Sequence, residues 1–561
     1  MGSREIQKEF GVVIMKIIIP MSGRGQRFID KGYKEPKPLI VIDGKPIIEH
    51  VVDMFSPEDA FIFICANDHL AQTPMREILM NLAPNVQIVG IEPHKLGPIH
   101  AVQQVYDLLD DGEEVIVNYC DFGTYWDYED FLNHTRNREA DGAIPAYKGF
   151  HPHMLGTTNY AFMRDDQQWM LEIQEKKPFT DNRMAEYASS GTYYFKSAAI
   201  MKRFMDLTLE RGLDLNGEYY VSVVYNLLIE AGLKVSIYEI QHMLQWGTPE
   251  DVADYTYHSA YFKNLISHEK FEAHDPHTLN LIPLAGEGSR FKSAGYVTPK
   301  PMIDVSGRPM ILQAFDVYPT SKNASFIVLE SHCEAYGIDD LLLESYPGCR
   351  VTRLSGVTEG QAITASLGIH EEDHNAPLLI AACDNGLIIN KSQYHATISR
   401  PDCDVICFTF QNNPTVGANP NGYGYVKVND EGLIEGVSVK TPLSATPMKD
   451  HAIVGAFYFR RASDFLKGVA YLQAQNIRVN GEYYIDSIIG VLNELGLTGY
   501  ALPCAYESWG TPNDYETYRY WQSFFHKAEF HPYRLELDPT VPNHKIAELD
   551  KLTRTFKQEY R

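Results

Sequence analysis

"IIIPMSGRGQRF", Ile17 to Phe28, reads as a buried strand running directly into a glycine-rich loop. The chain repeats the pattern as "NLIPLAGEGSRF", Asn280 to Phe291. A continuous apolar run marks a strand covered on both faces. Glycines at its end let backbone N–H groups approach a phosphate, because no Cβ stands in the way. Working outward from the loop, the repeat keeps register. Pro20 and Pro283, Gly23 and Gly286, Gly25 and Gly288, and Arg27 and Arg290 all stand 263 residues apart. So do Pro36-Lys37-Pro38 and Pro299-Lys300-Pro301, Gly97 and Gly360, and Cys120-Asp121 and Cys383-Asp384. The offset slips to 264 at "NGEYY" (Asn216 to Tyr220; Asn480 to Tyr484) and returns to 263 at "WGTP" (Trp246 to Pro249; Trp509 to Pro512). Chance similarity does not hold register over such a span, so the chain reads as a tandem duplication of a whole domain.

The length agrees. A chain of 561 residues is too long for one ordinary core. The repeat predicts a first domain over 15–263, a linker over 264–278, a second domain over 279–526 and a polar C-terminal tail over 527–561. Apolar runs such as Ala60–Ala66, Val115–Asp121, Ser325–Ser331 and Leu378–Asp384 alternate with helical patterns. That alternation predicts an α/β fold with mainly parallel central sheets covered on both faces. Ligands on such sheets bind at the carboxyl ends of the strands, where both glycine loops fall.

Charge and cysteine content narrow the partners. A formal net charge of −24 is a poor match for nucleic acid or an anionic membrane surface. Eight cysteines without a CxxC form no disulfide framework and read as reduced, buried thiols. The first residues lack a signal-peptide pattern, Gly2 is not followed by Ser or Thr at position 6, and no apolar run is long enough to cross a bilayer. These features predict a cytoplasmic protein.

The loop type follows by elimination and then by its companions. The dinucleotide motif GxGxxG fails because Phe28 and Phe291 stand at its last position, and the P-loop GxxxxGK[ST] is absent. Each loop instead carries an Arg two residues after its last glycine and a Pro-Lys-Pro about ten residues on. Arg offers a planar fork for phosphate oxygens and Lys a mobile ammonium, while the flanking prolines fix the chain. Asp121 and Asp384 each end an apolar strand, where a Mg²⁺ held by phosphates would sit.

The run GxGxRF, then GY, then PKP(L/M)I, followed by a strand-end Asp, resembles the sugar nucleotidyltransferases (NDP-sugar pyrophosphorylases), typified by glucose-1-phosphate thymidylyltransferase, and does so twice. The resemblance implies two three-layer α/β/α, Rossmann-like domains. It implies transfer of NMP from an NTP to a phosphorylated sugar or alcohol, with Mg²⁺ as cofactor and release of pyrophosphate. Carried onto this chain, Ser22, Gly23, Gly25 and Gly97, and Ala285, Gly286, Gly288 and Gln361, would bind the nucleotide. Arg27, Lys37 and Asp121, and Arg290, Lys300 and Asp384, would be catalytic, with Asp121 and Asp384 on the metal. Lys176, Glu218, Lys440 and Glu482 would face the acceptor. Cys120 and Cys383 read as packing residues, since the reaction needs no covalent nucleophile.

Three departures accompany the resemblance. Where many members have a second acid before a late Gly-Thr, this chain has Gln245 and Ser508; either the metal has one protein carboxylate or Asp251 or Asp514 substitutes, and "WGTP" also reads as a plain turn before the aromatic helix. The acidic Glu175 beside Lys176 becomes Val439 beside Lys440, an apparent loss of the acid. In the base-reading segment the second copy has "GQAITA", resembling pyrimidine readers, where the first has "GPIHAV" with Pro98. His151 and His153 in "HPH" read as a polar loop near the acceptor rather than a zinc site. The leading expectation is a bifunctional enzyme making activated precursors for surface glycans, as a monomeric pseudo-dimer or a homo-oligomer. The alternative is a nucleotide-sugar-binding regulator with degenerate sites. A related glycosyltransferase would want a DxD acid pair, and an NAD oxidoreductase a third glycine.

Overall fold

The computed structural model describes residues 14–268, 271, 277–319, 321 and 323–555. They divide into two units, residues 14–256 and residues 257–555.

In the first unit the strand Lys16–Met21 lies inside the sheet, and Ile17, Ile18 and Ile19 are fully buried. Its neighbours Ala60–Ala66 and Val115–Asn118 run parallel to it, and Asn85–Ile91 continues the parallel set beyond Ala60–Ala66. The other half of this ten-stranded sheet is largely antiparallel. Thr192–Phe195 runs antiparallel to both Val115–Asn118 and Gly142–Tyr147. Ala161–Asp166 and Trp169–Glu175 form a hairpin with only Gln167 and Gln168 between them. A two-residue connection can join only antiparallel strands. The mainly parallel expectation therefore holds for the half that carries the glycine loop, and the acceptor half is mixed.

The second unit repeats this plan. Leu279–Leu284 is flanked in parallel by Asn323–Leu329 and Leu378–Ile380, with Arg350–Leu354 outermost. His451–Phe459 then runs antiparallel to Leu378–Ile380 and to Val405–Phe410. Alternate residues of the first strand serve two cores. Ile282 and Leu284 pack in one, Leu279 and Leu281 in the other. Period-two alternation with both faces apolar is what a sheet between two helical layers requires. The fold is α/β, three-layered and Rossmann-like.

Two segments depart from the expected plan. The helix Pro249–Ser267 is shared, with residues up to Thr256 counted in the first unit and those from Tyr257 in the second. Tyr255 donates to Asp43 at 2.7 Å in the first unit, whereas Phe262 packs on Tyr518 and Tyr533 in the second. Residues 527–555, expected as a polar tail, are folded into the second unit, where Tyr533 and Leu535 are fully buried. Their sparse but large apolar side chains were masked by the charged residues around them. Residues 1–13, including Gly2, linker residues 269–270 and 272–276, and residues 556–561 of the tail lie outside the described residues. Among the described residues, no helix is long and apolar enough to cross a membrane.

Candidate active sites

Each glycine loop passes from its strand into a short helix, Gln26–Asp30 or Ser289–Ser293. Gly25 (φ 65°) and Gly288 (φ 61°) adopt left-handed backbone at that junction, the conformation that favours glycine. A side chain added at Gly23 or Gly286 would meet nothing within 4 Å, so both loops present bare backbone to open space. Ser22 and Ala285, one residue earlier, are buried and anchor the loop. Arg27 and Arg290 stand exposed on the short helices, and neither forms an ion pair with a described carboxylate.

Behind the loop, the Lys37 ammonium donates to Asp121 Oδ2 at 2.7 Å. Lys300 makes the same bond to Asp384. Burial works to lower the pKa of Lys37, but the Asp121 carboxylate and the Cys120 beside it outweigh that, and the net shift is upward. Lys300 behaves alike with Asp384 and Cys383. Both lysines are therefore charged at neutral pH, and each is also repelled by its loop arginine, Arg27 or Arg290. Two cations held close together without a shared anion are arranged for a polyanion. The neighbouring thiols are inert: burial pushes Cys120 up to about 11 and Cys383 to about 12.

"WGTP" packs against the strand-end aspartate in both units. Trp246 N–H donates to the Asp121 carbonyl at 2.9 Å, and Trp509 N–H to that of Asp384 at 2.8 Å. His242–Gln245 pairs with Phe122–Tyr125, and Ala505–Ser508 with Asn385–Ile388. Gly247 and Gly510 consequently lie against the carboxylates of Asp121 and Asp384. Asp251 and Asp514 approach from the following helix. Burial pushes Asp251 up to about 6 against the Thr248 hydrogen bond, with Asp254 and Asp121 adding repulsion. Asp514 is raised by burial and by Asp384, against hydrogen bonds from Ser508 and Thr511. Each unit thus has two carboxylates within electrostatic reach of each other.

No cluster of three or more His, Cys, Asp or Glu suited to a metal occurs among the described residues. One or two carboxylates are nonetheless the protein's usual share for Mg²⁺ that arrives on a triphosphate. The oxygen-only donor pairs Asp121 with Asp251 and Asp384 with Asp514 fit that use.

The residues expected to face the acceptor lie on the antiparallel hairpins. Lys176 (φ 57°) and Lys440 (φ 60°) both occupy left-handed backbone, at an equivalent hairpin exit. Lys176 N–H bonds the Tyr160 carbonyl, and Lys440 N–H that of Tyr423. The Lys176 ammonium lies 4.4 Å over the Tyr220 ring and donates to its hydroxyl at 2.6 Å; Lys440 lies 5.8 Å from the Tyr484 ring. The "NG" of "NGEYY" is a two-residue turn with both φ values positive in each unit, closed by the bridges Leu215–Glu218 and Val479–Glu482. Glu218 accepts a hydrogen bond from Tyr220, and the following helix carries no side-chain cap, which sets aside a capping role. Glu482 takes the corresponding place beside Tyr484.

This segment also holds the loop expected to face the base. Tyr219 N–H bonds Leu96 O and Ile99 N–H bonds Tyr219 O, with Tyr483, Glu359 and Ala362 repeating the pattern. Gly97 (φ 87°) and Gly360 (φ 128°) press on that backbone, and an added Cβ would fall 2.5 Å or 2.6 Å from the tyrosine nitrogen. Pro98 and Gln361 begin the short helices that follow. Gln361 is half-buried, and its side-chain amide makes no hydrogen bond to a described residue. In the first unit His94 and His100 stack edge-on at 4.7 Å where the second has Val357 and Ile363.

"HPH" is a packed aromatic corner. His151 is fully buried, and burial pushes it down to about 3. His153 bonds the Tyr147 hydroxyl at 3.0 Å and packs on Tyr160. Tyr160 in turn senses the charges of Asp251 and Asp121, as Tyr423 senses Asp514 and Asp384. Sequence reading overlooked Tyr160 and Tyr423. Their 263-residue offset was the available signal.

Fold and loop geometry together form an α/β framework with two open glycine loops, each beside a Lys–Asp pair. Residues 17–181 match the MobA-like NTP transferase domain family. The chain is similar to the bifunctional protein GlmU of Staphylococcus epidermidis, 23% identical over 225 residues, covering 39% of this chain and 47% of the relative. The corresponding protein of Bacillus cytotoxicus is 25% identical over 256 residues, covering 45% and 52%. The chain spans about half the length of the curated relatives it matches. A nucleoside-diphosphate-sugar pyrophosphorylase structure from Vibrio cholerae aligns with 22% identity and a TM-score of 0.36, over 43% of this chain and 99% of that one. The chain is thus similar to nucleotidyltransferases, and the family match itself lies within residues 17–181.

Proposed function

We propose that each unit transfers NMP from an NTP to a phosphorylated sugar or similar alcohol, releasing pyrophosphate, and that the two units differ in nucleotide. The observation that carries this reading is the duplicated set of open loop, loop arginine and Lys–Asp pair, Lys37–Asp121 and Lys300–Asp384. In this reading the glycine-loop N–H groups and Arg27 or Arg290 hold the β- and γ-phosphates, where charge builds on the leaving pyrophosphate. Lys37 or Lys300 swings its ammonium from the aspartate to the α-phosphate. Lys176 or Lys440 holds the acceptor phosphate in line, so the rate gain comes from positioning and neutralisation. Asp121 with Asp251, and Asp384 with Asp514, would hold Mg²⁺, which supplies Lewis-acid neutralisation of the phosphate charge.

Gln361 has an amide suited to a base edge, and the second unit is assigned a pyrimidine. Pro98 offers no such group. A role in surface-glycan precursor synthesis follows only from the class of product. The test is pyrophosphate release by the full chain across the four NTPs and a panel of sugar and alcohol phosphates, with Mg²⁺ and with EDTA. Metal-dependent release with at least one pair supports the reading. Tight NTP binding without release on any pair would favour a nucleotide-binding regulator instead.

A further inference from the structure

Sequence comparison of the copies suggests that the second unit has lost an acid, since Glu175 becomes Val439. The fold shows three linked replacements at one place. In the first unit Glu175 pairs across the hairpin with Ala161, and its Oε2 accepts from Ser222 Oγ at 2.6 Å. In the second unit Val439 pairs across the hairpin with Gly424. Gly424 is the register equivalent of Ala161, and Asp486 is that of Ser222. A Cβ added at Gly424 would collide with the Asp486 carboxylate. The carboxylate therefore lies against the backbone of the residue that pairs with Val439, in space that the alanine methyl fills in the other copy.

The surroundings of this carboxylate match those of Glu175. Lys440 donates to the carbonyl of Gly422, two residues from Gly424. Burial lowers Lys440 on balance, with Arg290 adding repulsion, and Asp486 is the influence that draws it back up. Burial raises Glu175 against the Ser222 hydrogen bond and then Lys176; burial also raises Asp486, against Lys440. Val439 cannot carry charge and Gly424 cannot block, so the three changes make sense only together. An acid in the first turn of a helix is ordinarily explained by the helix dipole. The helix Ile485–Ile489 is only 5 residues long, and a dipole explains neither the missing methyl at Gly424 nor the valine at 439.

We infer that Asp486 is the transposed counterpart of Glu175: a positioning residue that holds the Lys440 ammonium charged and aimed at the acceptor phosphate, delivered from a helix instead of a strand. This rests on the nucleotidyltransferase reading for its functional half and, for the Lys440–Asp486 coupling, on the place of the carboxylate against Gly424 together with its electrostatic pull on Lys440.

The test uses the full chain with Lys37→Ala, so that the second unit supplies the turnover. Asp486→Ser should raise the KM for the phosphorylated acceptor by roughly 10-fold, as loss of support for one charged hydrogen bond does, and leave the KM for NTP nearly unchanged. Adding Val439→Glu to Asp486→Ser should recover most of that loss by rebuilding the first unit's arrangement. Gly424→Ala should mimic Asp486→Ser. A second readout needs no turnover: acetylation of Lys440 by acetic anhydride at pH 8, followed by mass spectrometry. Asp486→Ser should speed labelling severalfold and Val439→Glu should slow it again, with thermal melts verifying that each variant is folded. Unchanged acceptor KM, or failure of Val439→Glu to restore either readout in folded protein, overturns the inference. Altered and rescued labelling in a chain that never releases pyrophosphate upholds the coupling and refutes the nucleotidyltransferase reading.

Discussion

The two units are alike at the glycine loop and its Lys–Asp pair and differ at the segment after Gly97 and Gly360. Loop, arginine, lysine and aspartate superpose in role down to the Lys–Asp contact and the repulsion between Arg27 and Lys37 or Arg290 and Lys300. Where a base would lie, one unit has Pro98 with His94 and His100, and the other has Gln361 with Val357 and Ile363. Phosphate is common to every NTP, so its cradle is constrained in both copies, whereas base and acceptor pockets are free to diverge after duplication. The comparison also shows that a residue absent at its own position can be supplied from another element, as Asp486 stands in for Glu175.

The comparison breaks most easily at the shared machinery. Lys37→Ala and Lys300→Ala should each lower the kcat of its own unit by about 10²–10³-fold, the usual effect of removing one preorganised charge from a reacting centre. Pyrophosphate release measured with each unit's preferred substrates checks this, and equal losses in both units from either single change would show that the sites are not independent. Next in size, Gly97→Ala or Gly360→Ala forces a side chain onto left-handed backbone and into the tyrosine nitrogen. Nucleotide affinity of the altered unit should fall about 10-fold or more, given a cost of about 1–3 kcal/mol, as titration calorimetry would read. Gln361→Ala should reduce base discrimination in the second unit by roughly 5-fold, the worth of one hydrogen bond, and change nothing in the first.

A further expected effect concerns stability rather than activity. Burial holds His151 down at about 3 and His153 well below the ordinary value of 6.5. A folded state that refuses protons the unfolded chain accepts gains stability as pH rises to 6.5 and loses it as pH falls below. Equilibrium unfolding between pH 7 and pH 4 should show this loss in the first unit, and His151→Gln should flatten it.

The grouping of the glycine loop with Lys37–Asp121 and Lys300–Asp384 was legible because a tandem repeat acts as its own comparison. Arg27, Lys37 and Asp121 stood out by matching Arg290, Lys300 and Asp384. The strand preceding the loop was equally plain, since three consecutive isoleucines have no polar face to show to solvent. Tyr160 and Tyr423 obey the same offset but sit in short, undistinguished contexts, and their role depends on a hairpin folding beside Asp121 and Asp384. Asp251 and Asp514 read as ordinary helix-start acids until the fold turned them toward the first carboxylate. The transposed acid was hidden because Glu175 and Ser222 lie 47 residues apart in the chain, and only side-chain contact joins them. Residues 527–555 were misread because buried tyrosine and leucine are diluted there by charge. Local composition reports the surface a segment shows, not the few side chains that anchor it.

The central claim is that one phosphate machinery serves two different nucleotides. Its most direct test is the NTP profile of the full chain carrying Asp121→Asn or Asp384→Asn, read as pyrophosphate release with acceptor in excess. The account predicts that Asp121→Asn leaves a pyrimidine-preferring activity belonging to the second unit. It predicts that Asp384→Asn leaves an activity with a different NTP preference. Identical NTP profiles from the two variants would contradict it.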